Sequence, residues 1–325
     1  MQPILEVRDL STHYHTTRGP VKAVDGVSFT LYPGQRFGLI GESGSGKSTI
    51  ALSLLRLIRP PGQIESGSVL LDGVELLSLS DEEMRQKRLA DIALVSQGAM
   101  NSLNPVTRVR SLMEDGFRNH EIELSSEESE QRIATLLGRV GLPPTVANLY
   151  PHQLSGGMKQ RVCIAIAISL GPKVIIADEP TSALDVVVQR RVMQTLRRVQ
   201  EDIGSAVILI GHDMGLMAQF ADHVGVMYAG KLVEEGPVRQ IFAQPQHPYT
   251  QLLMDSLPSL DSRDMSGGVA GQPPNLLAPP PGCVFHPRCP YAFDRCRVDV
   301  PKLQMAAPHH RAACHLLDEK EKIAA

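Results

Sequence analysis

The sequence lacks two features that mark large classes of proteins: an excess of positive charge and a long hydrophobic run. Its 32 Lys and Arg and 35 Asp and Glu side chains leave a net charge of −3, so no global basic field argues for nucleic-acid binding. The longest apolar stretch, residues 162–172, ends at Lys173 and falls short of the roughly 20 residues that span a bilayer. Residues 1–3 lack the charged start of a signal peptide. We therefore expect the chain to stay in the cytosol.

Cysteine is nearly absent from most of the chain. Only Cys163 lies before residue 283, whereas Cys283, Cys289, Cys296 and Cys314 follow it. Half of the 24 prolines fall in residues 245–325, and the Pro/Gly-rich stretch 267–282 is typical of a linker. At roughly 150 residues per domain, 325 residues suggest about two domains. We predict a large domain over residues 1–250 and a small extension over 251–325.

Apolar runs alternate with helical patterns in the large domain. Residues 174–177 and 206–210 are continuous apolar runs, which are typical of buried parallel strands, and a helical pattern over 188–202 separates them. Residues 48–58 also predict a helix, directly after the short apolar strand 37–40. The alternation indicates an α/β fold around a mostly parallel sheet.

A glycine-rich loop follows the strand at 37–40. Residues 41–49 match the pattern GxxxxGK[ST] in the strand–loop–helix context that this motif requires. The glycines let successive backbone N–H groups face a phosphate, and the next helix adds its positive end. Lys47 would contact the β- and γ-phosphates, and Ser48 would offer its hydroxyl to Mg²⁺. The predicted nucleotide contacts of this loop are Gly41, Ser43, Gly44, Ser45, Gly46, Lys47, Ser48 and Thr49.

Two acidic residues end the apolar strand at 174–177. Behind a phosphate loop, Asp178 can hold Mg²⁺ and Glu179 can polarise the attacking water. His212 follows another apolar strand, where it could contact the γ-phosphate. We therefore predict Lys47, Glu179 and His212 as the catalytic residues.

A second anion-binding feature occurs at residues 154–161. Ser155 is a predicted N-cap, and Gly156 and Gly157 would expose amides at the start of a long helix. Read as a motif, LSGGMKQR resembles the LSGGQ-type signature of ABC ATPases. The resemblance extends along the chain in the family's order, through the phosphate loop, Gln97, the signature, residues 177–180, residues 182–185 and residues 211–213.

A narrower resemblance is to the ATP-binding subunits of dipeptide/oligopeptide importers, also known as the peptide/nickel family. It rests on residues 102–105 (SLNP), 150–153 (YPHQ) and 247–250 (HPYT), and on Cys283, residues 288–291 (RCPY) and Cys296. It implies a P-loop ABC cassette with a RecA-like parallel sheet core, an antiparallel β subdomain and a helical signature subdomain at about 98–172. The Cys/Pro-rich extension would follow the cassette.

The resemblance also implies roles for individual residues. Tyr14 would stack on adenine, and Gln97 would touch Mg²⁺ together with Ser48 and Asp178. Two ATPase domains would pair head to tail, either two copies or two homologues. The signature would then contact the γ-phosphate of the ATP bound to the partner's phosphate loop, and Asp185 would lie at the dimer interface. The predicted contacts from this side are Ser155, Gly156, Gly157, Gln160 and Asp185.

The implied assembly is a membrane importer. Hydrolysis of ATP would drive two separate transmembrane permease subunits, supplied by an extracytoplasmic solute-binding protein. The chain would be peripheral, on the cytoplasmic face of the inner membrane. Di- or oligopeptides are the expected solute, with nickel or short oligosaccharides as alternatives.

Departures from the family pattern leave these alternatives open. Residues 98–100 read GAM where many relatives have Asp-Pro, and Gly211 stands where Thr or Ser is common. Neither change removes a catalytic group. A soluble ABC protein is disfavoured because the chain has one copy of each motif and no sustained heptads. An inactive ATPase is disfavoured because Lys47, Asp178, Glu179 and His212 are all present.

The four cysteines of the extension are spaced C-x5-C-x6-C-x17-C, unlike the pairs of common zinc ribbons. Four thiols with Pro290 beside Cys289 could hold an iron–sulfur cluster, and the resemblance implies a [4Fe–4S] cluster there. Zinc and an unmetallated site are the alternatives, and a reducing cytosol disfavours disulfides. Four nearby histidines could serve as substitute ligands, but we expect them to be ordinary surface side chains: His286, His309, His310 and His315. Cys163 is predicted as a buried small hydrophobe.

Overall fold

The computed structural model describes residues 1–98, 102–182, 184–256 and 269–318. Its strands are β1 (Leu5–Thr16), β2 (Gly19–Leu31), β3 (Arg36–Ile40), β4 (Gly62–Leu71), β5 (Val74–Glu75), β6 (Ile92–Val95), β7 (Val174–Asp178), β8 (Ala206–Ile210), β9 (His223–Tyr228), β10 (Lys231–Pro237), β11 (Gln304–Ala307) and β12 (His310–Ala312). Its helices are α1 (Lys47–Leu54), α2 (Asp81–Lys87), α3 (Val109–Asn119), α4 (Ser126–Arg139), α5 (Gly156–Ala167), α6 (Val186–Ile203), α7 (Met214–Phe220), α8 (Val238–Ala243), α9 (Pro248–Asp255) and α10 (Asp294–Val298).

The chain divides into two compact units that interleave along the sequence. The first unit contains Met1–Leu5, Thr30–Arg36 and Leu70–Ile210. The second contains Glu6–Phe29, Phe37–Val69 and Gly211–Ala325. The boundary at residue 250 stays a prediction, as does the helical subdomain.

A parallel sheet forms the core of the first unit. Strands β6, β7 and β8 pair in that order, with Ile92 opposite Val174 and Val174 opposite Ala206. Every residue of β7 and β8 is buried, which confirms the interpretation of the two apolar runs as buried parallel strands.

Helices α3 to α6 also belong to the first unit. Helix α3 buries Val109, Met113 and Phe117 along one face, at the four-residue spacing of an amphipathic helix. Helix α4 begins at a capping box in which Ser125 and Glu128 satisfy each other's backbone N–H groups.

Strands β1 to β4 and β9 to β12 lie wholly or mostly in the second unit. Strands β1 and β2 are joined by two residues, the connection of an antiparallel hairpin, and β4 lies on the other side of β1. Strand β3 pairs in parallel with β9, and β9 pairs antiparallel with β10. Strands β12 and β11, close to the C-terminus, continue this sheet beyond β10. The C-terminal extension is therefore built onto a sheet.

A buried carboxylate fastens this extension to β10. Glu234 is fully buried and accepts hydrogen bonds from the backbone N–H of Gln246 (2.6 Å) and of His247 (3.0 Å). His310 on β12 bonds the same carboxylate through Nε2 (2.6 Å). Burial lowers the pKa of His247 to about 4, with the Glu234 charge opposing the shift. His247 is therefore neutral at pH 7, and its Nδ1 accepts the Tyr249 backbone N–H.

Helix α1 is shorter than its apolar pattern predicts. The pattern extends to Ile58, but the helix ends at Leu54, and Arg56 adopts a left-handed backbone with φ of 50°. A helix cannot continue through that conformation, so the prediction for residues 55–58 was wrong. Among the residues described, none of the helices combines the length and apolarity needed to span a membrane.

Candidate functional site

The phosphate loop connects β3 to α1 in the second unit. Gly41, Gly44 and Gly46 all have positive φ values (148°, 76° and 104°). A Cβ atom at Gly41 would lie 2.1 Å from the carbonyl oxygen of Met227, and one at Gly46 would lie 2.1 Å from that of Ala23. The loop therefore needs glycine at 41 and 46 for space as well as for backbone conformation, whereas Gly44 has open space around it.

Lys47 lies inside the curve of this loop. It is 6% exposed, and its Nζ donates to the carbonyl oxygens of Gly41 (2.8 Å) and Glu42 (2.8 Å) and to Ser45 Oγ (3.3 Å). Gly46 precedes α1 and makes no side-chain cap hydrogen bond to the N-terminus of the helix, which carries a partial positive charge. The loop thus presents one buried ammonium and a helix N-terminus to the same ligand.

The other predicted members of the loop differ in exposure. Ser43 and Gly44 are exposed, Ser45 is buried, and Ser48 and Thr49 are half-buried in the first turn of α1. Tyr14 of β1 is half-buried, and its ring lies against the backbone of Gly62, where a Cβ atom would be 2.7 Å from the ring.

The two predicted acidic residues lie at the end of β7 in the first unit: Asp178 is its last residue and Glu179 follows it. Asp178 is 6% exposed. Glu179 has a left-handed backbone (φ 45°) and donates its N–H to the carbonyl of Ile210 (2.9 Å). Gln97, which follows β6, donates from Nε2 to Glu179 Oε2 (2.9 Å). The structure thus brings together two predicted site residues that are 82 positions apart. Ala99 and Met100, which depart from the family pattern, lie outside the described residues, as does Ala183.

His212 lies in the second unit, one residue after a contact with β3. The N–H of Gly211 donates to the carbonyl of Leu39, two residues before the phosphate loop begins. His212 itself is exposed, and Asp213 caps α7 by accepting the N–H of Leu216 (2.9 Å).

The signature begins α5 in the first unit. Ser155 is the N-cap, as predicted, and its Oγ accepts the N–H of Met158 (3.3 Å). A Cβ atom at Gly157 would lie 2.5 Å from Val188 Cγ1, so the signature packs directly on α6. Asp185 caps α6 by accepting the N–H of Val188 (3.0 Å). Ser155, Gly156 and Asp185 are exposed, whereas Gln160 is buried, at 2% exposure.

Two of the subfamily motifs meet in the structure. The Tyr150 ring stacks on His152 with centroids 5.5 Å apart, and Arg108 lies over the Tyr150 ring at 5.3 Å. His152 Nδ1 lies 3.2 Å from the carbonyl oxygen of Pro105. Residues 102–105 and 150–153 thus form one surface, which the sequence could not show.

The four cysteines of the extension are free thiols that lie near one another. The backbone N–H of Cys283 donates to the carbonyl of Cys296 (2.9 Å). Burial raises the pKa of the Cys314 thiol to about 12, and the charges of the other three cysteines add to the shift. Burial also raises the pKa of Cys283 to about 11. In the described part of the chain, no group of three or more Cys, His, Asp or Glu side chains is arranged around one metal ion.

The predictions for two histidines were wrong, and that for Cys163 is confirmed. His310 and His315 are only 1% and 4% exposed. Each has a buried polar partner: His310 Nε2 is hydrogen-bonded to the Glu234 carboxylate, and His315 Nε2 lies 2.9 Å from the carbonyl oxygen of Asp299. Cys163 is buried in α5. The residue that the sequence missed is Arg288, whose guanidinium reaches the phosphate loop and is bonded to Glu42.

Comparison with known protein families gives two matches. A family model described as "ABC transporter" matches residues 24–182. A second, described as "Oligopeptide/dipeptide transporter, C-terminal region", matches residues 233–296.

Individual relatives span nearly the whole chain. A peptide import ATP-binding protein of Brucella abortus (strain 2308) is 46% identical over 297 residues, covering 90% of this chain and 89% of the relative. The dipeptide transport ATP-binding protein DppD of Bacillus subtilis (strain 168) is 41% identical over 327 residues, covering 98% and 96%. The oligopeptide transport ATP-binding protein AppF of the same organism is 40% identical, covering 97% and 98%.

Solved structures support the same fold. A dimeric ATP-binding cassette in a post-hydrolysis state with ADP and Pi superposes with a TM-score of 0.64 at 28% identity, covering 72% of this chain and 99% of that one. The cbiO1 protein of Clostridium perfringens superposes with a TM-score of 0.64 at 27% identity, covering 75% and 92%. The predicted fold class, a P-loop ABC cassette, is confirmed.

Proposed function

From the premise that the chain belongs to the ABC transporter family, we propose that it is the ATP-hydrolysing subunit that powers peptide import through separate membrane subunits. The observation that carries this proposal is the match of residues 233–296 to the oligopeptide/dipeptide transporter C-terminal region, on a chain that also carries the phosphate loop and the signature. Relatives named for peptide, dipeptide and oligopeptide transport support the choice of solute.

The phosphate loop would bind the nucleotide. Lys47 would turn its ammonium from the loop carbonyls to the β- and γ-phosphates, and the amides of the loop and of α1 would contact the remaining oxygens. Tyr14 would stack on the adenine ring. Ser48, Gln97 and Asp178 would hold Mg²⁺, which supplies charge stabilisation at the transferring phosphoryl group.

Hydrolysis would need a residue that activates water. Glu179 would polarise the attacking water. Gln97, which donates a hydrogen bond to the Glu179 carboxylate, would orient that carboxylate. His212 would contact the γ-phosphate. These roles are proposals carried by residue type and position.

A second ATPase subunit would complete the site. Ser155, Gly156 and Gly157 would offer hydroxyl and amide groups to the γ-phosphate of the partner, with Asp185 in the seam. Two exposed apolar side chains beside Asp185, Val186 (79% exposed) and Val187 (62%), fit a surface that is covered by such a partner. Two permease subunits and a solute-binding protein would complete the importer, with this chain at the inner face of the membrane.

Purification of the tagged chain from its own cells in mild detergent tests the assembly. We expect mass spectrometry to find two multi-span membrane proteins, with or without a second ATPase. Cells expressing only the tag are the control. Recovery of ribosomes, or of no membrane protein from intact membranes, would contradict the proposal and favour a soluble ABC ATPase.

Uptake assays test the solute. A strain lacking this gene should lose uptake of a labelled dipeptide and regain it with the wild-type chain, but not with Glu179→Gln. If the strain lost uptake of nickel or oligosaccharide instead of peptide, the proposal that the chain powers an importer would stand, and the proposal that peptide is the solute would be wrong.

We also propose that Cys283, Cys289, Cys296 and Cys314 hold a [4Fe–4S] cluster, with Zn²⁺ as the alternative. Support comes from the donor set: four cysteines without disulfide bonds in one short proline-rich segment, whose thiols would have to come together around the metal on binding. Bound iron would supply folding energy to a segment with a small core.

Iron analysis after anaerobic purification tests this site. We expect iron, sulfide and a broad absorption near ~400 nm, all lost in Cys289→Ser. Cys163→Ser is the matched control, since Cys163 is buried in α5, and it should keep the full iron content. Stoichiometric zinc without iron would contradict the cluster and support the zinc alternative. Folded protein without any metal would contradict both.

A further inference from the structure

Arg288 makes an unusually complete set of hydrogen bonds for a residue of the extension. Its side chain is 6% exposed. Nη1 donates to Glu42 Oε2 (2.8 Å) and to the Tyr228 hydroxyl (3.2 Å), and Nη2 donates to Glu42 Oε1 (2.9 Å) and to the carbonyl of Val269 (2.7 Å). Nε donates to the carbonyl of Ala270 (2.9 Å). All five guanidinium N–H groups are therefore used, two of them in a bidentate pair with Glu42.

Glu42 is the second residue of the phosphate loop, and each of its polar groups is held. Its backbone N–H donates to the Tyr249 hydroxyl (2.9 Å), and its carbonyl accepts from Lys47 Nζ (2.8 Å) and from the Ser45 N–H (3.2 Å). Its carboxylate is bound by Arg288. The orientation of Glu42 therefore helps to decide where the Lys47 ammonium and the Ser45 amide lie.

An aromatic cluster supports this contact. Tyr228 and Tyr249 pack with centroids 4.6 Å apart, and Phe285 meets Tyr228 edge-on at 5.1 Å. Tyr228, Tyr249 and Phe285 are each at most 1% exposed. Phe285 lies in the chain between Cys283 and Cys289, so the cysteine segment packs on the side chains that hold Glu42. A rigid base of this kind fixes the Arg288 guanidinium in place.

Charge gives the contact a consequence for nucleotide binding. Glu42 places a carboxylate, 23% exposed, in a loop whose ligand would be a polyanion. An unpaired carboxylate there would repel phosphate. The repulsion would be stronger than in bulk water, because the protein between the two charges has a lower effective dielectric constant. The Arg288 charge neutralises it, and the bidentate geometry holds it in one orientation.

We propose that Arg288 is a positioning residue for the nucleotide site, acting through Glu42 to neutralise and orient the phosphate loop from the C-terminal extension. This role rests on the proposed ATP binding by the loop. It makes the extension part of the ATPase: nucleotide affinity depends on a residue that directly precedes a proposed cysteine ligand.

Calorimetric titration of the full chain with MgADP, together with KM and kcat for ATP, tests the role. Arg288→Gln keeps an N–H donor at the position from which Nε bonds the Ala270 carbonyl, but it removes the charge. We expect it to weaken MgADP binding roughly tenfold and to raise KM, with kcat within about threefold of wild type, since binding of the ground state and of the transition state weakens equally. Arg288→Lys restores the charge but not the bidentate pair, so it should bind MgADP more tightly than Arg288→Gln and less tightly than wild type.

Rescue separates this role from a merely structural one. The double variant Glu42→Gln/Arg288→Gln removes both charges and should recover affinity to within about threefold of wild type. Arg311→Ala is the matched control, because Arg311 pairs with Glu235 elsewhere on the extension, and it should leave affinity unchanged. Wild-type affinity in Arg288→Gln, or a double variant that binds no better than Arg288→Gln, would overturn the proposal. Absence of MgADP binding by the wild-type chain would instead contradict the proposed function.

Discussion

Replacement of Glu179 by glutamine should lower the rate of ATP hydrolysis by about a hundredfold or more while ATP stays bound. Glutamine has the shape of glutamate but cannot accept a proton from water. The backbone at this position is fixed by the bond from the Glu179 N–H to the Ile210 carbonyl, so the substitution should change the chemistry and not the fold. The Gln97 amide can still donate to the new side-chain oxygen.

The measurement is phosphate release under saturating MgATP, combined with size-exclusion chromatography. ATP that is bound but not hydrolysed should hold two cassettes together, so the variant should elute as a dimer with ATP and as smaller species with ADP. Glu201→Gln, which alters an exposed glutamate on α6 paired with Arg197, is the control and should hydrolyse ATP at the wild-type rate. Unchanged turnover in Glu179→Gln would refute the assigned role.

The sequence predicted the parts of the site that depend on local chemistry. Residues 41–49 form the predicted loop because each requirement, glycine conformation and a lysine at the start of a helix, is written in consecutive positions. The cap at Ser155 is local in the same sense. Parallel strands β7 and β8 were predictable because both faces are covered, which leaves continuous apolar runs.

The rest depends on contacts between distant residues. Arg288 and Glu42 are 246 positions apart, and neither has a sequence context that names the other. His310 looked like a surface residue because its partner, Glu234, lies 76 positions away. The early end of α1 has a different cause: Leu55 to Ile58 continue the apolar pattern, but the chain turns at Arg56, and periodicity carries no information about a left-handed residue.

Substitution of Gly46 by alanine should abolish nucleotide binding, whereas the same substitution at Gly44 should not. Both glycines have positive φ, so each alanine is strained by about 1–2 kcal/mol. Only at Gly46 would the new methyl group clash, because it would lie 2.1 Å from the carbonyl oxygen of Ala23. That oxygen belongs to the backbone, which cannot move aside as a side chain can. Nothing lies within 4 Å of a Cβ atom at Gly44.

Relief of the clash at position 46 requires the loop to shift away from Ala23. Lys47 is the next residue, so its ammonium and the first amides of α1 would move with it. Loss of one or two hydrogen bonds to phosphate costs about 3 kcal/mol, or about a hundredfold in affinity, and we expect MgADP affinity to fall at least that far. Gly44→Ala should bind within about tenfold of wild type, because strain of that size is the whole effect.

Calorimetry with MgADP and thermal unfolding without nucleotide distinguish the two variants. Gly46→Ala should lose binding and unfold at a lower temperature than Gly44→Ala. The two variants share a positive φ, with 76° at Gly44 and 104° at Gly46, so the comparison chiefly reports the close approach of residue 46 to Ala23. Equal affinities would show that the loop tolerates a methyl group at 46, and the tight packing of the loop against β2 would then not be what shapes the phosphate site.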